Sequence, residues 1–122
     1  MKKILILLFV LSINLPTFAG VFEEAIKHND KIFLYMYSKD CSYCDKFTPN
    51  YNKIYQKYNG SCKFLKVDAN TEYGGTLMRS LSAFYVPYVA MVDNKNKIIK
   101  TVTPTCMLNY GCILDAVNKF IK

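Results

Sequence analysis

Residues 33–51 read FLYMYSKDCSYCDKFTPNY. Two kinds of pattern meet in this stretch. Ile32 to Tyr37 is a continuous apolar run, the signature of a strand buried on both faces of a parallel or mixed sheet. From Cys44 onward Phe47, Tyr51, Ile54 and Tyr58 recur at spacings of four, three and four, one face of a helix widened by Tyr55. That aromatic stripe reads as core packing. Pro49 lies within the helix and should bend it, because it lacks an N–H and crowds the preceding turn. Cys41 and Cys44 stand where the strand gives way to the helix.

A pair of cysteines two residues apart has three readings: half a zinc site, a structural staple, or a redox centre. The helix N-terminus leaves backbone N–H groups unpaired, and with the helix dipole these favour a negative charge. A thiolate is such a charge, so the pKa of Cys41 should fall. Cys41 is then the exposed nucleophile. Cys44, one turn in, is the buried thiol that resolves the mixed disulfide. No cofactor is needed. A closed zinc site needs four ligands. The chain has one histidine, His28, and one CxxC, and a set made of Cys41, Cys44, Cys106 and Cys112 has unusual spacing. A purely structural disulfide over so short a loop constrains little chain entropy. The redox reading is preferred and no metal is assigned.

The rest of the chain supplies the elements around this junction. Val21 to Lys27 is a short amphipathic helix. Lys63 to Val67 is a second strand, ending at Asp68-Ala69-Asn70, and Gly74-Gly75 reads as a loop. Leu77, Leu81 and Phe84 mark a helix face. Val86 to Val92 is a third strand with Pro87 at its start, and Asp93 to Asn96 a hairpin turn. Lys97 to Val102 is a fourth strand, followed by a loop with Pro104, Cys106 and Gly111. Ile113, Leu114, Val117, Phe120 and Ile121 give the last helix one apolar side. A right-handed β-α-β crossover and a closing hairpin make an α/β fold, a mixed sheet with helices on both faces.

The chain has 122 residues, 52% of them hydrophobic, which suits one domain with a real core. Lys2 and Lys3 precede an apolar run from Ile4 to Leu11, and a polar, Pro-containing segment ends in Thr17-Phe18-Ala19. This is the pattern of a secretory signal peptide, residues 1–19, cut after Ala19 to leave a domain of residues 20–122. The alternative, an uncleaved anchor, is weakened by Asn14, Pro16 and Thr17. A membrane is therefore implied only through an uncleaved signal. The location read from this is periplasmic or secreted. Loss of Lys2 and Lys3 leaves 14 basic residues against 9 acids, a net charge of +5 scattered along the chain. With no clustered basic face, nucleic acid is not an implied partner. Export also favours disulfides among Cys41, Cys44, Cys62, Cys106 and Cys112, and five cysteines leave at least one unpaired in a monomer.

The segment from Phe33 to Tyr51 resembles the active-site strand and helix of the thioredoxin superfamily, in which a proline also follows the second cysteine by five residues, as Pro49 follows Cys44. KVDAN (66–70) resembles the family's second central strand, FYVPYVAMVD (84–93) the segment carrying its cis-proline, and GCILDAVNKFIK (111–122) its closing helix. The resemblance covers Val21 to Lys122. It implies a minimal, thioredoxin-like, mixed four-stranded sheet with helices on both faces. It implies that Pro87 is cis, faces the Cys41–Cys44 pair and, with Val86, offers backbone to an extended substrate; Ser42 and Tyr43 complete the substrate-binding set. The activity implied is thiol–disulfide exchange on cysteine-containing proteins, with a redox partner protein and the enzyme as a monomer. Reductase, isomerase and oxidase directions stay open. A second reading is a redox-inert thioredoxin-like binding module or subunit of an envelope assembly.

The departures carry information. Thioredoxins proper have a buried acid six residues before the first cysteine and a tryptophan just before it; here these are Tyr35 and Asp40. The usual Gly-Pro between the cysteines is Ser42-Tyr43, more like glutaredoxins and periplasmic disulfide isomerases. Asp40 opposes a Cys41 thiolate, whereas Lys39 and Lys46 favour it. In this fold the fourth strand ends at the pole of the CxxC, so the loop from Val102 to Gly111 would border the active site. Cys106 and Cys112 are expected to form a disulfide closing that loop, as a staple or a second shuttle pair. Cys62, at the opposite pole, is expected to be a lone thiol.

Overall fold

The computed structural model describes residues 20–122; the expected signal peptide, residues 1–19, lies outside them. The elements run α1 (Val21–His28), β1 (Lys31–Tyr37), α2 (Ser42–Tyr58), β2 (Lys63–Asp68), α3 (Glu72–Ser80), β3 (Tyr88–Asp93), β4 (Ile98–Val102), α4 (Pro104–Leu108) and α5 (Tyr110–Ile121). The four strands form one mixed sheet in the order β2-β1-β3-β4. β1 and β2 are parallel, while β3 runs antiparallel to both β1 and β4.

The apolar run of β1 is buried on both faces because its alternate residues serve two cores. Phe33 and Tyr35 join Phe47, Tyr51, Ile54, Met107, Ile113 and Val117 beneath α2, α4 and α5. Ile32, Leu34 and Met36 join Phe22, Ala25 and Leu77 beneath α1 and α3. Period-two alternation in a strand thus reads as unbroken hydrophobicity once helices cover both faces. In α2 the buried positions are Cys44, Phe47, Tyr51 and Ile54; Tyr55 is exposed. Lys31 of β1 closes the far end of α5, its Nζ donating to the carbonyl oxygens of Phe120 and Ile121 at 2.9 Å each. Those carbonyls would otherwise lack partners at the helix end.

Four expectations are corrected. Gly74-Gly75 is not a loop but part of the first turn of α3, capped by Thr71, whose side chain accepts from the Gly74 N–H at 2.9 Å. Glycine is needed there because a Cβ on Gly74 would collide with the backbone carbonyl of Asp68. Phe84 is not on a helix face. α3 ends at Ser80, and Ser82 at φ 54° turns the chain so that Phe84 stands 84% exposed. A left-handed serine replaces the glycine that normally marks such a stop. The loop after β4 contains the short helix α4, capped by Thr103 with Pro104 in its first turn. Finally, α2 starts at Ser42 rather than Cys44, with Cys41 as its cap.

Candidate active site

The strand directions converge the candidate residues. β1 ends at Tyr37, β3 begins at Tyr88, and β4, parallel to β1, ends at Val102. The Cys41–Cys44 pair, the Val86–Pro87 dipeptide and α4 therefore follow or precede strand ends at one pole of the sheet. Cys62, just before β2, lies at the other.

Cys41 and Cys44 are joined as a disulfide, with Cα atoms 5.2 Å apart. Cys41 caps the seventeen-residue helix α2, and its Sγ accepts from the Cys44 N–H at 3.0 Å. The cap that is usually a Ser, Thr or Asp oxygen is here a sulfur. When the pair is reduced, the same N–H and the helix dipole stabilise a Cys41 thiolate. The expectation of an exposed Cys41 needs correction for this oxidised form: Cys41 is 9% exposed and Cys44 3%. Capping draws the Cys41 sulfur over the first turn of α2, so the order of accessibility holds but the nucleophile is recessed. Ser42 and Tyr43 are exposed beside it, and Lys46 places its Nζ 5.5 Å from the centre of the Tyr43 ring.

The Val86–Pro87 peptide bond is cis, Pro87 is buried and Val86 half-buried. Ahead of them Phe84 and Tyr85 are exposed, and Tyr85 meets Tyr88 edge-on at 6.1 Å. Sequence reasoning missed these two aromatics as surface groups because the Leu77, Leu81, Phe84 spacing continued a helical period.

Tyr35 occupies the position of the missing acid. It is fully buried, and its hydroxyl donates to the Cys44 carbonyl at 3.3 Å, alongside Thr48 Oγ1 at 2.9 Å. Burial pushes the Tyr35 hydroxyl above its usual pKa, so it stays a neutral donor. Lys66 of β2 sets its Nζ 5.9 Å from the centre of the Tyr35 ring and 4.8 Å from that of Tyr37. An apolar strand run could not reveal that one of its tyrosines anchors the active-site helix.

Cys106 and Cys112 form a second disulfide, again with Cα atoms 5.2 Å apart. It ties α4 to α5, and α4 is held to α2 by Asn50, whose Nδ2 donates to the Met107 carbonyl at 2.9 Å. The groove beside this disulfide is lined by Lys100, Val102, Thr103 and Phe120 among others, and not by Cys41, Cys44 or Pro87. The pair opens on the β4–α5 side of the fold. Cys62 is free and buried, and burial pushes its thiol up to about 11. Among the described residues no cluster of three or more His, Cys, Asp or Glu side chains could hold a metal ion, and no helix is long and apolar enough to cross a membrane.

Comparison with known proteins agrees with this arrangement. The family model described as Thioredoxin matches residues 15–106. The J-Trx1 fragment of ERdj5 superposes with a TM-score of 0.71 at 14% identity, over 82% of this chain but only 46% of that longer fragment. Mitochondrial thioredoxin 3 of Saccharomyces cerevisiae gives 0.66 at 19% identity, covering 80% of this chain and 86% of its own. Thioredoxin f from spinach chloroplast gives 0.63 at 26% identity, covering 77% and 79%. Among curated proteins none matches the chain.

Proposed function

The chain belongs to the thioredoxin family and is a thiol–disulfide oxidoreductase, and from that premise we propose that it exchanges disulfides with cysteine-containing proteins outside the cytoplasm through Cys41 and Cys44. The observation that carries this reading is the sulfur cap: Cys41 Sγ at the N-terminus of α2, 3.0 Å from the Cys44 N–H.

In the reducing direction the Cys41 thiolate attacks a substrate disulfide. A Cys41–substrate bond forms, and one substrate sulfur leaves as a thiolate that is then protonated. Cys44 loses its proton and attacks Cys41 Sγ. The second substrate sulfur leaves, and the Cys41–Cys44 bond now found in the structure is restored. Two electrons pass to the substrate. A redox partner protein resets the pair, and the oxidising direction is the same path reversed. The backbone of Val86 and Pro87 pairs with the substrate segment, and the exposed Phe84, Tyr85 and Tyr43 give its apolar side chains a surface.

Neither direction is favoured by a dominant local charge: Asp40 opposes the Cys41 thiolate, while Lys39 and Lys46 support it. The buried acid that would help deprotonate Cys44 is replaced by neutral Tyr35, which weakens the case for a dedicated reductase. The extracytoplasmic location is supported by the basic start, apolar middle and small-residue end of residues 1–19. The enzyme acts as a monomer. Reduction of insulin disulfides by the exported chain tests the mechanism: activity is expected to fall to background in Cys41→Ala, and activity that survives the substitution refutes it.

A further inference from the structure

The more accessible of the two disulfides is not the CxxC. Cys112 is exposed and Cys106 half-buried, whereas Cys41 and Cys44 are both buried. Cys112 sits in the first turn of the twelve-residue α5, where Asn109 Oδ1 accepts its N–H at 3.0 Å. Cys106 and Cys112 line a groove of about 400 Å³ whose walls also include Lys100, Val102, Lys119 and Phe120. One wall is β4, the outer strand of the sheet, which pairs only with β3 among the described residues. A strand with a free edge accepts an extended segment through its backbone.

We propose that Cys106–Cys112 is a second thiol–disulfide exchange site, whose substrate is a dithiol protein that lays its cysteine-bearing segment along β4. The partner's first thiol gives its proton to solvent, and the thiolate attacks the exposed Cys112 Sγ. The Cys106–Cys112 bond breaks, a partner–Cys112 bond forms, and Cys106 leaves as a thiolate that takes a proton from solvent. The partner's second thiolate then attacks its own sulfur in the mixed disulfide. Cys112 leaves as a thiolate at the start of α5, where the helix dipole favours it, and is protonated. The partner is oxidised by two electrons and the pair is reduced by two. Lys100 adds positive charge to the groove, as does Lys119, which is shared with Asp115 at 3.1 Å. Val102 and Phe120 offer apolar wall to a residue flanking the partner's cysteine. The occupant this chemistry fits is therefore a thiol-bearing segment with apolar and acidic neighbours; a small thiol such as glutathione meets only the sulfur.

The test removes the CxxC, so its outcome is separate from that of the reading above. A Cys41→Ser/Cys44→Ser chain is mixed with a reduced synthetic peptide carrying Cys-x-x-Cys flanked by leucine and glutamate. Thiols are then blocked and the protein mapped by peptide mass. One peptide disulfide per chain is expected, with Cys106 and Cys112 newly blocked, at least tenfold faster than with glutathione at equal thiolate concentration. With the same peptide supplied oxidised, adding Cys106→Ser should trap it on Cys112, whose thiolate opens the peptide disulfide with no Cys106 to resolve the adduct, and adding Cys112→Ser should trap none. A Cys106–Cys112 bond that stays closed, or opens no faster with the peptide than with glutathione, overturns the proposal. If the far-UV spectrum shows the variant unfolded, the same mapping on the unsubstituted chain reads each pair separately, and the same two results count against it.

Discussion

Tyr35 and Cys44 are joined across the strand–helix interface, the buried tyrosine hydroxyl donating to the cysteine carbonyl oxygen at 3.3 Å. The bond fixes the first turn of α2 on β1 at the position where thioredoxins proper carry an acid. The carbonyl keeps a second donor in Thr48 at 2.9 Å, so removing the tyrosine hydroxyl leaves no orphaned acceptor. Tyr35→Phe is expected to lower stability by about 1 kcal/mol, the net worth of one hydrogen bond. Urea unfolding measures it. A loss above roughly 3 kcal/mol would mean the hydroxyl has a larger role than anchoring one turn.

Gly74 and Gly75 are neighbours in α3 with opposite surroundings. A Cβ on Gly74 would strike the Asp68 carbonyl, which is backbone and has little freedom to yield, whereas a Cβ on Gly75 would meet nothing closer than 3.7 Å. Gly74→Ala is expected to destabilise by roughly 1–3 kcal/mol despite the helical gain. Gly75→Ala is expected to stabilise by up to about 1 kcal/mol. Thermal unfolding of the two variants should show shifts of opposite sign.

These two glycines also show what was legible in the sequence. The sheet, the junction of β1 with α2 and the pairing of Cys41 with Cys44 follow from apolar periods and cysteine spacing, signals that tertiary contact reinforces. Gly74-Gly75 misled because glycine marks both loops and close approach, and only the Asp68 carbonyl tells which. Phe84 misled because Ser82, not glycine, adopts the left-handed turn that ends α3. The helix α4 was signalled after all: Thr103-Pro104 is a cap followed by a first-turn proline. Tyr35 was invisible as an anchor because its role needs a partner nine residues away.

Cys62 and Tyr51 set an alkaline limit. Burial pushes the Cys62 thiol from 9.0 up to about 11 and the Tyr51 hydroxyl from 10.0 up to about 12. Raised folded-state values mean that the folded chain keeps protons that the unfolded chain releases first. Their stabilising effect is complete below the unfolded values and is lost as pH rises through the folded ones. Stability should therefore fall above about pH 9, and Cys62→Ala should make the fall shallower between about pH 9 and 11. Denaturant midpoints measured across that range check the sign. Equal slopes in the two proteins would contradict it.

Phe84 is 84% exposed two residues before Val86, and with the adjacent exposed Tyr85 it forms an apolar surface next to the Val86–Pro87 dipeptide in the chain. Phe84→Ser should change stability by less than about 0.5 kcal/mol, as at other surface sites. Exchange with a protein disulfide should slow severalfold while exchange with oxidised glutathione is unchanged. Equal slowing of both would place its effect on the Cys41–Cys44 chemistry rather than on substrate docking.

Cys41–Cys44 should behave as a working redox couple, and its reduction potential decides whether it does. Equilibration in glutathione buffers of graded poise, followed by thiol blocking and mass analysis, should show Cys41 and Cys44 titrating together as a two-electron couple. The midpoint should lie between about −120 and −270 mV, the span of exchange-active CxxC proteins. A pair that remains closed below about −300 mV, where structural disulfides lie, would contradict the account and leave the chain as a thioredoxin-like binding module.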